Sequence, residues 1–357
     1  VKRRSASRRW HVSSALCAAP VAVVSIFRAV PAPWPAPVVQ LVAFTPWFVL
    51  PAGAAVLLAL PTRRPWAVLP AGALLALQLL WLFPPDRVAD RFLARAADPP
   101  HGEQQSTGHA QANGQGTGQA PAAELTVMSL NAWKGQADAA EVVRLVREKG
   151  VGLLAVQELS PALEKRLDAE GLGALLPHRI SRSRDGAGGG AVYSSRPIVP
   201  VDSVDGSAFH MPTVQLELEA GGQPASLIVT NVHTKAPVWG RAGQWRSELA
   251  ALGRLAARPG NMLLLGDFNA TVDHAEFRQI LQGKDGAGPG SPRVDAGAAA
   301  LARLVPTWPM AGPPLPGVVI DHIVTGPQVR SSGYAVLPVA GTDHAAVLAT
   351  LSVPAED

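Results

Sequence analysis

Six short motifs in this chain end strand-like apolar runs on an acid, an amide or an imidazole. They are SLNAWKG with Asn131, AVQE with Glu158, TNVH with Asn231 and His233, LLLGDFNAT with Asp267 and Asn269, VIDHIV with Asp321, and GTDHAAV with Asp343 and His344. Carboxylate and amide oxygens without thiolates suit a hard cation such as Mg²⁺, with Mn²⁺ as the alternative, and such ions bind phosphate oxygens. Two imidazoles and a further Asp beside the ion suffice to cleave a phosphate ester or anhydride with water. Singly, each motif has a plainer reading. GDFN can be a tight turn, either His a structural imidazole at a strand end, and Gln157–Glu158 a polar strand terminus. Their conjunction points to one site.

The elements that would carry these residues follow from hydropathy pattern. Strands are expected at 125–130, 151–156, 191–194, 214–219, 226–231, 262–265, 318–324, 334–338 and 346–352, each β-branched or apolar and bounded by Gly, Pro or Asn. Helices are expected at 139–149, 161–170, 241–257 and 274–282, with Gly150 and Gly171 at helix ends and Asp273 as an N-cap. Residues 283–297 read as a Gly/Pro-rich surface loop. Long helices and many strands in mixed order imply an α/β fold of stacked layers.

The first hundred residues have a different character. Apolar segments at 12–30, 38–60 and 66–83 are each about long enough to cross a ~30 Å hydrocarbon core. Trp10, Trp34, Trp66 and Trp81 lie near segment ends, and Arg28 is placed to snorkel. Five basic residues precede the first segment and Arg63–Arg64 lie between the second and third, so the N-terminus is expected inside and everything after the third segment outside. Residues 86–95, with Val88, Phe92 and Leu93 among alternating charges, would lie along the outer membrane surface. Residues 98–123 are Gly-, Gln- and Pro-rich and read as a flexible tether with a reach on the order of 25–30 Å; His101 and His109 in it are expected to be solvated. The expected organisation is an anchor at 1–97, the tether at 98–123, and a catalytic domain at 124–357.

Charge narrows the function. Residues 1–123 hold 11 Lys/Arg against 4 Asp/Glu, and residues 124–357 hold 20 against 23, so the chain's basicity belongs to the anchor. A nuclease usually needs an electrostatic pull on phosphates, and the motif-bearing part has no global excess. The single Cys17 excludes an intramolecular disulfide and a thiolate metal site, and reads as a small buried hydrophobe.

The ordered set Asn131, Gln157–Glu158, Asn231-x-His233, Gly266-Asp267-Phe268-Asn269, Ile320-Asp321-His322 and Asp343-His344 closely resembles the endonuclease/exonuclease/phosphatase (DNase I-like) superfamily over about residues 124–353. The resemblance implies a four-layer α/β sandwich, two β-sheets face to face with helices outside, here preceded by three transmembrane helices. It also implies roles. Glu158 resembles the main Mg²⁺ ligand, helped by Asn131 and Asp343. Asp267 resembles the residue that orients or deprotonates the attacking water, and Asn269 the one that holds the phosphate or that water. His344 resembles the imidazole that binds a phosphate oxygen, with Asp321 fixing its tautomer. His233 resembles the second imidazole, near the leaving oxygen; its carboxylate partner is open, with Asp185 one candidate. Asn231 is a further candidate substrate contact.

The anchor narrows the resemblance to VanJ-type membrane proteins of actinomycetes, associated with teicoplanin resistance and thought to act on lipid-linked pyrophosphates. Two basic clusters, Arg179 with Arg182 and Arg184, and Lys235 with Arg241 and Arg246, could hold a second phosphate or be solvated loop charge. Trp133, Trp239, Trp245 and Trp308 could line an apolar entrance or simply pack. The expected protein is a membrane-anchored, outward-facing, Mg²⁺-dependent phosphohydrolase of a lipid pyrophosphate, with the membrane and a lipid-linked phosphate as partners and nucleic acid disfavoured. The alternatives are an exported nuclease or phosphodiesterase, and a non-catalytic lipid or antibiotic receptor.

Overall fold

The structure, a computed structural model, describes residues 2–89, 121–204, 206–283, 292–312 and 316–355. The expected tether up to residue 120, with His101 and His109, and the amphipathic stretch from residue 90 onward lie outside the described residues.

Two six-stranded sheets form the part from Ala122 onward. One has the order β11-β12-β1-β2-β4-β3 and the other β5-β6-β7-β8-β10-β9. Their strands are β1 (Ala122–Asn131), β2 (Leu153–Gln157), β3 (His178–Arg182), β4 (Gly190–Ser194), β5 (Ile198–Ser203), β6 (Pro212–Ala220), β7 (Gln223–His233), β8 (Met262–Asp267), β9 (Val294–Asp295), β10 (Asp321–Thr325), β11 (Arg330–Leu337) and β12 (Ala346–Pro354). One core, with Val127, Leu153, Val192, Leu216, Leu227 and Leu265, fills the space between the sheets. A second packs Met128, Leu130 and Leu154 against the helices Ala139–Glu148 and Pro161–Ala169, and a third packs Leu264 and Phe268 against the helices Ala242–Ala256 and Ala275–Gln282. Strands buried on both faces read as nearly continuous apolar runs, which is how 262–265 reads. The architecture is therefore two mixed sheets flanked by helices, as expected.

Register sets the site. β1 and β2 run parallel with Asn131 opposite Gln157, and β7 and β8 run parallel with His233 opposite Asp267. β10 is antiparallel to β8 and pairs Asp321 with Asp267. β12 is antiparallel to β1, with Val347 opposite Ser129, so the segment just before it, with Asp343 and His344, lies at the same end of the sandwich. A buried amide bridge joins the sheets there: Gln157 donates to Asn231 Oδ1 at 2.7 Å, and Asn231 Nδ2 donates to the carbonyls of Val156 (3.0 Å) and Ala191 (3.1 Å).

The described residues before the sandwich include the helices α1 (Lys2–Ala29), α2 (Ala36–Ala43), α3 (Val49–Ala59) and α4 (Pro65–Leu82), with a 3-10 turn at Thr45–Phe48. Three stretches, Arg8–Ala29, Thr45–Thr62 and Pro65–Leu82, are long and apolar enough to cross a membrane. The end of α1, the turn before α3 and the end of α4 all touch the sandwich, through Arg28, Trp47 and Trp81. The Arg63–Arg64 turn therefore lies at the opposite end of the bundle, where His11 stacks on Trp66 with centroids 4.7 Å apart. Inside the bundle, Gln78 donates to Ser25 at 2.9 Å, a buried polar pair of the kind that joins membrane helices.

Five expectations change. The apolar segment at 38–60 is not one helix: it breaks at Phe44, and α2 sits against the sandwich with Val39 inside the third core. Arg28 does not snorkel, because its guanidinium bonds the fully buried Asp273 at 2.6 Å. Asp273 consequently caps no helix; His274 occupies the N-cap position of the helix Ala275–Gln282 without a side-chain cap bond. The stretch 283–297 contains β9 and a short helix, Ala296–Ala299, beyond its undescribed part. β1 also starts at Ala122, inside the expected tether.

Candidate active site

Asp267 ends β8 and is buried. The preceding Gly266 has φ +150, and a Cβ there would lie 2.1 Å from the Val232 carbonyl, so only glycine lets β8 close against β7 at this point. Asp267 accepts from the Asn269 backbone N–H at 2.8 Å and from Asn131 Nδ2 at 2.9 Å. Asn269 is itself anchored by donating to the Thr234 carbonyl at 2.9 Å. Two imidazoles and a second carboxylate surround Asp267. His344 Nε2 and His233 Nε2 stand 3.9 and 3.8 Å from Asp267 Oδ2, and His233 Nε2 stands 3.6 Å from Glu158 Oε1. These gaps are too long for direct hydrogen bonds and suit an intervening oxygen from water or phosphate.

The two imidazoles differ in charge. His344 Nδ1 faces Asp321 Oδ2 at 2.9 Å. Burial alone would lower its pKa, but the Asp321 carboxylate, aided by Asp267 and Asp343, reverses this and pushes it up to about 9. His233 is driven down to about 3 by burial, then by the nearby His344 and Lys235. The Ala187 backbone opposes this but lies outside hydrogen-bond geometry, leaving His233 Nδ1 without a partner among the described residues. Asp185 does not reach it. The His233 ring stacks on Phe209 (centroids 4.3 Å), and Lys235 Nζ covers that same phenyl ring at 4.0 Å. Burial, reinforced by Asp321, raises Asp267 to about 7, against the pull of His344 and its amide donors.

The donors fit a hard cation. Asp343 Oδ1 is buried and unpartnered, while its Oδ2 accepts from the Trp308 indole at 3.1 Å. The nearest donor to Glu158 Oε1 is Asn131 Nδ2, at 3.5 Å, so one oxygen of each carboxylate is short of hydrogen bonds. Asp267, Asp321 and His344 also bring ligand atoms within 4.8 Å of one another, though Asp321 is committed to His344. Glu158, Asn131 and Asp343, with Asp267 beside them, would hold the ion, which when bound would neutralise charge developing on phosphate oxygens.

Backbone strain marks the same place. Among the described residues six non-glycine positions have left-handed φ, and four of them are Trp133, Lys134, Glu158 and Asn269. All four line one cavity of about 550 Å³ together with Asp267, His344, His233 and Asp343. Strain of about 1–3 kcal/mol per residue persists where surroundings impose it, and it clusters at functional sites.

This order of strand-end residues on two stacked sheets decides the assignment. The chain belongs to the Endonuclease/Exonuclease/phosphatase family, which it matches over residues 128–344. Members of that family hydrolyse phosphoesters, typically with a divalent metal. Among solved structures, the chain is similar to a humanised D. rerio TDP2 (16% identity, 64% of this chain and 98% of that one, TM-score 0.47). D. rerio TDP2 complexed with a single-strand DNA product gives 14% identity, 64% and 98% coverage and a TM-score of 0.48. An endonuclease/exonuclease/phosphatase from Beutenbergia cavernae gives 16%, 65% and 72%, and 0.46. No curated protein matches the sequence.

Not every residue expected at the site is there. Asn231 is spent on the inter-sheet bridge and does not line the cavity. Arg179 lies on β3, bonded to Asp168 at 2.9 Å, and Arg246 bonds Glu276 at 3.0 Å and the Trp34 carbonyl. Neither lines the cavity, whereas Lys235 and Arg241 do. Trp133 and Trp308 line it too, while Trp245 is core and Trp239 is 83% exposed. Lys134, Phe209, Gln40 and Phe44 were missed. Lys134 was legible in the WKG that follows Asn131; Phe209 and the two anchor residues carry no sequence signal.

Proposed function

We propose that this family member is a membrane-anchored, outward-facing, metal-dependent phosphohydrolase that cleaves a lipid-linked pyrophosphate of the undecaprenyl type, in the manner suggested by its resemblance to VanJ-type proteins of cell-wall metabolism and teicoplanin resistance. The observation that carries it is the cavity in which Asp267, flanked by a charged and a neutral imidazole, shares walls with residues of an apolar helical anchor.

The chemistry follows from these groups. A water held between Asp267 and the terminal phosphorus gives its proton to the carboxylate as its oxygen attacks; the bond from that phosphorus to the bridging oxygen breaks, inorganic phosphate is released, and the bridging oxygen leaves on the lipid monophosphate. The His344 imidazolium, held by Asp321, donates to a phosphoryl oxygen as charge grows there. Asn269 fixes Asp267 and adds a further polar contact. Lys134, Lys235 and Arg241 line the cavity and, among the described residues, form no ion pair with a carboxylate, which leaves them free for a second phosphate. The charge balance of residues 124–357 argues against a nucleic-acid substrate.

The purified full chain, supplied with Mg²⁺ or Mn²⁺, should release phosphate from undecaprenyl pyrophosphate and leave plasmid DNA and sphingomyelin intact. Nicking alone would make it a nuclease. No turnover of any of the three would favour the receptor.

A further inference from the structure

The cavity holds far more than a phosphoryl group. About 550 Å³ lies in the range of about 300–1,000 Å³ that receives whole small molecules. Away from the charged residues its walls include Ala43, Phe44, Pro237, Val238, Val318 and Ile320. Two of these, with Gln40, come from α2 and its end, not from the sandwich.

This wall is held rigidly. Val39, one residue before Gln40, is buried in the same core as Trp245, Phe268 and Phe277. His274 Nδ1 accepts from the Thr271 backbone at 2.8 Å, so its Nε2 carries the proton it donates to the Val39 carbonyl at 2.9 Å. On either side of α2, the Trp47 indole donates to the Gly317 carbonyl at 2.7 Å, and Arg28 and Arg303 grip Asp273. α2 also lies on the face where α1 ends and α3 begins, the face from which the apolar helices run. On the sandwich side Val238 lines the cavity, and the exposed Trp239, an aromatic of the kind found at membrane interfaces, follows it in the chain.

We propose that α2 and Phe44 form a specificity-determining wall of the active site, against which the first carbons of an apolar chain esterified to the substrate phosphate lie. The anchor thus selects the substrate as well as holding the enzyme at the membrane. A lipid phosphate fits because the same cavity carries the phosphate chemistry and is walled by Gln40, Ala43 and Phe44 of the apolar anchor, so a chain lying on that wall would run towards the membrane side. The inference rests on the phosphohydrolase reading above and adds the element that discriminates by chain.

The test measures, for the full chain in nanodiscs, the ratio of kcat/KM for farnesyl diphosphate to that for methyl diphosphate. Both probes share the diphosphate, and the ratio is independent of the fraction of protein correctly folded. Wild type should prefer farnesyl diphosphate. Phe44→Ala and Phe44→Gln should each reduce the ratio about tenfold, Phe44→Leu should largely restore it, and Leu57→Ala on the exposed side of α3 should leave it unchanged. A preference that survives both Phe44→Ala and Phe44→Gln overturns the role of the anchor wall while leaving the enzyme a lipid phosphohydrolase. Equal use of the two probes by wild type overturns the lipid reading and this inference together, and turnover of neither overturns the phosphohydrolase reading on which both depend.

Discussion

Asp267 takes three N–H bonds from two asparagines and still has an oxygen facing both imidazoles. Replacing it by Asn keeps the size and removes the proton acceptor, so Asp267→Asn should lower kcat by at least ~100-fold in a protein that still folds. His344→Ala should lower kcat comparably by removing the donor to the phosphate, and should lower the unfolding midpoint because the buried Asp321 loses its partner. Their protonation states predict a bell-shaped profile of kcat/KM. The acid limb reflects Asp267 near 7, or lower once a cation is bound, and the alkaline limb reflects loss of the His344 proton near 9. Asp321 is the group that holds His344 charged, so Asp321→Asn should move the alkaline limb to lower pH; a limb that stays put would assign it elsewhere. The same pair bears on stability. The folded value lies above the ordinary ~6.5, so the stabilisation is complete below that pH and is lost as pH rises through about 9. Glu158 offers an opposite test. Its φ of 56 strains the backbone, so Glu158→Gly should keep stability within about 1 kcal/mol of wild type while metal-dependent turnover is lost.

At the scale of elements, the strand ends were legible because site residues flank apolar runs that are forced into the buried centre of a sheet; Asn131, Glu158, His233 and Asp267 close such runs, whereas Asp321 and His344 lie at the start of theirs. The missed strands are those at sheet edges: β3 (HRISR) is charged, β5 contains Pro200, and β9 is two residues long. The position of Asn231 was legible and its use was not, since an amide reaching a neighbouring sheet leaves no local pattern. Asn231→Leu should cost about 2 kcal/mol by removing the Asn231 partner from one Gln157 Nε2–H, whose other donor bond is to Ser129, and from two buried carbonyls, measured by denaturant unfolding of the sandwich. The break at Phe44 had a local signal, since Pro46 disfavours helix at the residue before it; what the mostly apolar run of 38–60 did not show is that Val39 seats in the sandwich core. Asp273 was misread for the same reason: an Asp before a helix is a cap by local rules, and two distant arginines override them. Those arginines outweigh the burial that would otherwise raise its carboxyl, and hold it below the usual range. Asp273→Asn would leave two largely buried guanidinium groups uncompensated, and should cost about 3–5 kcal/mol and loosen the anchor, read as protease cleavage between α2 and α3.

At the scale of the molecule, the bundle gives the chain a direction. Arg28, Trp47 and Trp81 meet the sandwich at one end, and the Arg63–Arg64 turn lies at the other. The positive-inside rule supports our proposal that this turn lies inside and the cavity outside, facing substrates presented on the outer leaflet. The single native cysteine makes this measurable. In a Cys17→Ser background, Trp239→Cys places a thiol at the exposed position next to cavity-lining Val238, and Arg63→Cys places one at the far turn. A membrane-impermeant maleimide added to intact cells should label the first at once and the second only after permeabilisation. The reverse pattern would put the active site in the cytoplasm. The hydrolytic chemistry would survive that result, since it depends on groups inside the cavity and not on the side of the membrane it faces, but an outer-leaflet substrate would not.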